Sequence, residues 1–205
     1  MDKKSKTGYV ILGLLSDRSL SGYDIKKLIE RRFHHFWSES YGQIYPELRR
    51  LLGAKMIKAA PDRNAERRKG GKKRRVYSIT EKGRSAVFDW LALPTERESA
   101  RIEFLLKLCF GSLTHRDDHL TNIRMFRSRS EKNLSALRAL ENELGEAMEK
   151  AAPGAAAAVG GASGRAFPGT YENDPYVLMA VRFGTRVYEA YLKWCADAES
   201  TILRR

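Results

Sequence analysis

The chain has 205 residues, 42% of them hydrophobic, which is enough for a packed core and argues against global disorder. No apolar run approaches the roughly 20 residues that span a bilayer, and the short apolar stretch near the start lacks a small-residue cleavage site, so neither a membrane anchor nor a signal peptide is expected. The net charge is +13, and residues 1–91 hold 22 Lys+Arg against 10 Asp+Glu, whereas residues 92–205 hold 16 against 15.

Residues 9–15 are apolar nearly all round and predict a short buried helix, followed by a turn over 16–20. Ser21 with Asp24 reads as an N-cap, and Ile25, Leu28, Ile29 and Phe33 behind it predict a second helix with one buried stripe. A third stripe follows, formed by Ile44, Leu48, Leu51 and Leu52. Its start is ambiguous, because Ser40 with Gln43 resembles a capping box while Pro46 belongs near a first turn. A start around Gly42 is expected. Beyond Gly53, residues 56–59 and 75–79 read as two strands flanking a basic segment with Gly70-Gly71 at its tip. Thr80-Glu81 then opens another helix whose apolar face is Ala86, Val87, Trp90 and Leu91.

The second half reads as helical. Thr95 with Glu98 is a capping box before an apolar run over 102–113. Thr114 with Asp117 repeats it before a long stretch reaching about Lys150. There Leu120, Ile123, Leu134, Leu137, Leu144 and Met148 alternate at 3/4 spacing, interrupted by Arg127, Ser130 and Glu141. Residues 151–175 are Ala/Gly-rich and read as a flexible insertion. A final helix is expected from about Pro175 to Leu203, with Tyr176, Met179, Val187, Tyr191 and Trp194 near one face. The fold class is therefore mainly α. A winged helix-turn-helix of three helices and a two-stranded β wing occupies 1–91, and an all-helical dimerisation domain, which could also take an effector, occupies 92–205.

The exposed side of the third helix carries the chemistry. Tyr41, Tyr45 and Arg49 recur at i, i+4 and i+8 away from the apolar stripe, with Gln43 and Arg50 beside them. Gln pairs with adenine and Arg with guanine in a major groove, while Tyr hydroxyls and the amides of Ser40, Tyr41 and Gly42 at the helix start suit phosphate. The wing adds Arg67, Arg68, Lys72, Lys73 and Arg74 to neighbouring phosphates or a minor groove. In the second half, Phe104, Leu108, Tyr176, Met179, Phe183, Val187, Tyr191 and Trp194 read as dimer core, or as the lining of a pocket for an aromatic small-molecule effector. His115 and His119 at i, i+4 lack an evident third metal ligand, and His34-His35 reads as a helix-end feature. Cys109 and Cys195 lie on apolar segments, which suits a reducing cytoplasm. With no phosphate-binding glycine loop, nucleophile elbow or zinc-protease signature in the sequence, no enzyme activity, metal or cofactor is expected.

The N-terminal half resembles the PadR-like transcriptional regulators. The resemblance is carried by Tyr9-Val10-Ile11-Leu12-Gly13-Leu14-Leu15, Ser21-Gly22-Tyr23-Asp24-Ile25, Ser40-Tyr41-Gly42-Gln43-Ile44-Tyr45-Pro46-Glu47-Leu48-Arg49-Arg50-Leu51 and Arg75-Val76-Tyr77-Ser78-Ile79-Thr80-Glu81-Lys82-Gly83. Phe104-Leu105-Leu106-Lys107-Leu108-Cys109-Phe110-Gly111 and Arg182-Phe183-Gly184 with Trp194 are similar to the longer type with a helical C-terminal domain. The resemblance implies a homodimer made by the C-terminal helices, with two winged domains reading a palindromic duplex, usually to repress. The wing is longer and more basic than that pattern, and 151–175 departs from it. A non-specific RNA- or nucleoid-binding module is the alternative that the charge alone allows, and an enzyme acting on nucleic acid is a further one.

Overall fold

The computed structural model describes residues 6–61, 75–96, 102–150, 159–160, 166–167 and 174–204. Two units are resolved. One is Met1–Thr95 with Ala157–Thr170, and the other is Glu96–Ala156 with Tyr171–Arg205.

In the first unit α1 (Lys6–Asp17) is followed by a two-residue strand β1 (Leu20–Ser21), α2 (Gly22–Arg32) and α3 (Tyr41–Gly53). β2 (Ile57–Pro61), β3 (Arg75–Ile79) and α4 (Glu81–Leu91) complete it. The antiparallel sheet runs β1-β3-β2, with Leu20 opposite Tyr77 and Ile57 opposite Ile79. This order of helices and wing strands is a winged helix-turn-helix. Ile11, Leu12, Leu15, Ile25, Ile29, Ile44, Leu48, Leu51, Ile57 and Val87 form its buried core, each large side chain contributing roughly 1.5–3 kcal/mol. Tyr9 stacks on Trp90 at 4.6 Å, tying α1 to α4.

Local chemistry explains the boundaries. Ser21 Oγ accepts from the Asp24 amide at 3.2 Å, and the Asp24 carboxylate accepts from the Ser21 amide at 3.3 Å, a closed capping box for α2. α3 begins at Tyr41, one residue before the sequence expectation, with Ser40 as N-cap. The Gln43 side chain accepts from the Ser40 amide at 2.8 Å. Pro46 lies inside the helix rather than in its first turn. The carbonyl its missing N–H leaves free belongs to Gly42, an exposed residue, so water can satisfy it. α3 stops in a Schellman turn: the Met56 amide donates to Leu51 O and that of Lys55 to Leu52 O, both at 3.0 Å. The left-handed residue there is Lys55 (φ 58°), not the nearby Gly53. Thr80 Oγ1 accepts from the Gly83 amide and donates to Met56 O at 2.9 Å, pinning α4 against the α3–β2 turn. A Cβ on Gly83 would collide with Met56 O, so the approach requires glycine there. Of the expected apolar face of α4, Val87 is buried but Leu91 is exposed, because the helix ends at that residue.

In the second unit α5 is shorter than expected, Glu103–Cys109, with Ile102 at its N-cap. Glu98 of the expected Thr95/Glu98 box lies outside the described residues. A 3₁₀ turn at Gly111–Leu113 leads to α6 (Arg116–Lys150), a single helix of 35 residues. Thr114 donates to Asp118 at 2.6 Å rather than pairing with Asp117. α7 runs Pro175–Leu203, with Asp174 as N-cap and Pro at the start. The three polar interruptions of α6 are each satisfied. Ser130 is buried and donates to Phe126 O at 2.8 Å. Arg127 pairs with Glu199 at 2.8 Å, and Glu141 with Arg182 at 3.0 Å.

Leu137, Leu140 and Leu144 of α6 pack on Leu178 and Val181 of α7. The buried positions of α7 are Leu178, Val181, Gly184, Thr185 and Cys195, and Tyr191 and Trp194, expected as dimer core or pocket lining, contact Phe126 of α6 within the chain. Within 151–173 the described residues form two short strands, β4 (Val159–Gly160) and β5 (Ala166–Phe167), paired antiparallel. Of the rest of the expected flexible insertion over 151–175, Asp174 and Pro175 instead start α7, and the remainder lies outside the described residues.

Candidate nucleic-acid interface

The recognition surface starts with how α3 is gripped from behind. Ile44, Leu48 and Leu51 are fully buried. Two carboxylates are buried with them, Glu39 at 3% exposure and Glu47 at 7%. Glu39, just before the N-cap, accepts from Thr7 Oγ1 at 2.8 Å and Trp37 Nε1 at 2.9 Å, joining α1 to the segment that enters α3. Glu47 holds Arg50, whose Nη2 lies 2.6 Å from Oε1. The sequence reading missed both acids, since a lone Glu is ordinarily solvated; only the neighbouring Trp37 and Arg50 hinted at partners.

The opposite side of α3 is open. Tyr41 and Tyr45 are 42% and 43% exposed and their rings lie 6.0 Å apart at 23°. Gln43 and Arg49 are exposed beside them. α2 extends the same patch. Lys27 Nζ sits 4.7 Å over the Tyr23 ring, and its ammonium is held protonated above the usual lysine range, first by the hydrogen bond with Tyr23 and in smaller part by charge interaction with Tyr41. The surface thus presents phenols, a guanidinium, an amide and an ammonium, with Asp24 near Lys27 favouring its charge, a set that suits hydrogen bonding to phosphates and base edges. Of the sequence-expected set, Ser40, Tyr41, Gly42, Gln43, Tyr45 and Arg49 are exposed together. Gln43 spends its carbonyl oxygen on the cap, and Arg50 is turned to Glu47. On the wing, Lys58 and Arg75 are exposed on β2 and β3, whereas Arg67, Arg68, Lys72, Lys73 and Arg74 lie outside the described residues.

The second unit divides its expected set. Phe104 stacks on Phe126 at 4.7 Å, with Trp194 edge-on to Phe104 at 5.5 Å and Tyr191 5.4 Å from Phe126. Beside this ring cluster lies a cavity of about 440 Å³ lined by Phe104, Lys107, Phe126, Arg129, Asn133 and Tyr188 among others. Asn133 donates to the Tyr188 hydroxyl at 3.0 Å, and burial pushes that phenol above its ordinary value. Phe126 and Asn133 escaped the sequence reading because they sit in a polar stretch of α6. Tyr176, Met179 and Phe183, by contrast, are 76%, 63% and 67% exposed, at i, i+3 and i+7 on the flank of α7 turned away from α6. Leu108 and Val187 are half-buried.

Among the described residues no group of three His, Cys, Asp or Glu could hold a metal; His119 instead bonds through Nε2 to Gly111 O at 2.8 Å. Cys195 is buried and its thiol is pushed up by that burial, the opposite of a reactive thiolate. Among the described residues no helix is long and apolar enough to cross a membrane.

Residues 11–88 match the transcriptional regulator PadR-like family, and residues 100–202 match the family described as virulence activator alpha C-term. The negative transcriptional regulator PadR of Bacillus subtilis is 30% identical over 149 residues, which cover 71% of this chain and 76% of that protein. The chain belongs to the PadR-like family. It is accordingly a member of a family of transcriptional regulators, not of enzymes. The crystal structure of Bacillus subtilis PadR in complex with operator DNA matches with a TM-score of 0.75 and 25% identity, covering 98% of this chain and 99% of that one. The same regulator in complex with p-coumaric acid matches with a TM-score of 0.64 over 98% of each chain, also at 25% identity. The Vibrio cholerae virulence activator AphA, 23% identical with a TM-score of 0.66 over 96% of this chain and 99% of its own, shares the fold of this PadR-like chain.

Proposed function

We propose that this chain is a homodimeric, sequence-specific repressor that binds a palindromic operator in duplex DNA and is released by an aromatic small molecule. The observation that carries this reading is the two-sided α3, apolar and clamped behind, with Tyr41, Tyr45, Gln43 and Arg49 exposed in front. Such a helix presents a reading face to a major groove while its core side fixes the register. The basic wing supplies sequence-independent attraction, which accounts for the concentration of charge in residues 1–91. The negative regulator of Bacillus subtilis, solved with operator DNA, supports the repressor sense.

The exposed Tyr176/Met179/Phe183 stripe supports the dimer, because a contiguous apolar flank of this kind marks a protein interface. Two copies would present two α3 helices to half-sites about one helical turn apart. The Phe104/Phe126 cavity supports the effector: aromatic walls stack an aromatic ligand, and Arg129 and Lys107 suit an acidic group on it. The p-coumaric acid complex of the Bacillus subtilis relative gives the probe.

Mapping the native protein across its own genome tests the whole reading. Expected is a set of discrete promoters sharing an inverted repeat. Occupancy spread without sequence preference would instead identify a non-specific nucleic-acid coat. Titrating p-coumaric acid into the complex with an enriched duplex should dissociate it, and Phe104→Ala should blunt that response.

A further inference from the structure

We infer that Gly22, the first residue of α2, positions Tyr45 for DNA reading: the side chain it lacks is the space that the Tyr45 ring occupies. The inference rests on the reading of α3 as the recognition helix. A Cβ built on Gly22 would stand 2.9 Å from Tyr45 Cε1, 3.2 Å from Tyr45 Cζ and 3.3 Å from Leu48 Cδ1. Carbon atoms settle at about 3.5–4.0 Å, so one added methyl displaces the ring.

Nothing else at this position calls for glycine. The backbone of Gly22 does not lie in the left-handed region, and α2 is already started by the Ser21/Asp24 capping box. Glycine is a poor helix former, so alanine would favour α2. The space is therefore kept for a neighbour, and the atoms nearest to it belong to a half-exposed aromatic on the reading face. Tyr41 flanks the Tyr45 ring at 6.0 Å, so the ring has Gly22 on one side and Tyr41 as a further neighbour. Cζ bears the hydroxyl, and any push on Cζ passes undiminished to the group that meets DNA. A bound geometry fixed before contact loses less rotamer freedom on binding. Because the ring is the outer end of a side chain, it can yield without disturbing the core. Gly22→Ala is thus a change in recognition more than in folding.

The test uses full-length protein and a duplex enriched by that protein from a random-sequence library, with the same duplex shuffled as control. Fluorescence anisotropy at fixed salt measures the affinity ratio between the two, and thermal melting runs in parallel. Gly22→Ala is expected to lower the ratio about tenfold, the scale of one lost base contact, with shuffled-duplex affinity and melting midpoint unchanged. Tyr45→Ala should lower it similarly, and adding Gly22→Ala to Tyr45→Ala should lower it no further.

A Gly22→Ala protein with the parental ratio, while Tyr45→Ala has lost it, overturns this inference and leaves α3 as the reader. A Tyr45→Ala protein with the parental ratio overturns the reading of Tyr45 itself, and the inference with it. A clear drop in melting midpoint on Gly22→Ala, or a further loss of ratio in the double variant, would show that Gly22 serves Leu48 and the core instead.

Discussion

Arg50 closes on Glu47 at two points, with Nε 3.0 Å from Oε2 and Nη2 2.6 Å from Oε1, while Glu47 itself is buried between α1 and α3. The neighbouring Arg49 is exposed. Adjacent arginines on one helix therefore divide the work. One neutralises a buried carboxylate, and the other is exposed on the face proposed to read DNA.

Arg50→Ala should destabilise the protein, because it strands a buried carboxylate. Arg50 is itself about half exposed, so the expected loss is discounted to about 1–2 kcal/mol. Arg49→Ala should leave stability unchanged and weaken duplex binding. Urea denaturation and anisotropy on the two variants measure this division; equal effects of the two on binding alone would refute it.

Lys55 holds the left-handed position that ends α3 (φ 58°). Glycine adopts that conformation without steric penalty. Lys55→Gly is therefore expected to stabilise the protein by up to about 1 kcal/mol, even though it adds freedom to the unfolded chain. An increase in the denaturation midpoint is the readout, with Lys55→Val as the destabilising counterpart.

Changing Arg67, Arg68, Lys72 and Lys73 to Ala should weaken binding to the enriched and shuffled duplexes by the same factor. The log–log salt dependence should flatten by up to about one unit per phosphate contact removed. Affinities measured at several salt concentrations give the slope, and an unchanged slope would mean these groups stay in solvent.

Met179→Glu with Phe183→Glu should convert a dimer into monomers, because two charges would enter the apolar flank of α7. These changes test the dimer more cleanly than removing α7, since truncation before Asp174 would also strip Leu178 and Val181 from the packing on α6. Equilibrium sedimentation at micromolar concentration decides the outcome. A variant that still dimerises places the interface elsewhere.

Much of the chain was legible before its structure, and the lapses have physical causes. Ser21 with Asp24, and Ser40 with Gln43, announced their helices because capping is local chemistry. Tyr41, Tyr45 and Arg49 were legible as one exposed face because helical period fixes facing. The strand at Leu20–Ser21 was not, since two residues have no period and pair only through Tyr77 and Val76. Nor was the intrachain packing of Tyr191 and Trp194 on Phe126, because Phe126 lies in a polar stretch of α6 and the contact spans more than sixty positions. The burial of Glu39 depends on Thr7, thirty-two positions away, which no local pattern reports.

The unbroken length of α6 has one more consequence. Thirty-five residues at 1.5 Å each make a rod of about 52 Å. The Phe126/Asn133 cavity borders the first half of that rod, and the leucine seam with α7 lies in the second. A tilt of about 5° pivoted at one end would carry the other by about 4–5 Å, and α7 would have to follow it or give up its Asn133–Tyr188 and Glu141–Arg182 bonds. A wedge no larger than a benzene ring, driven in near Phe126, would thus work with the mechanical advantage of a lever.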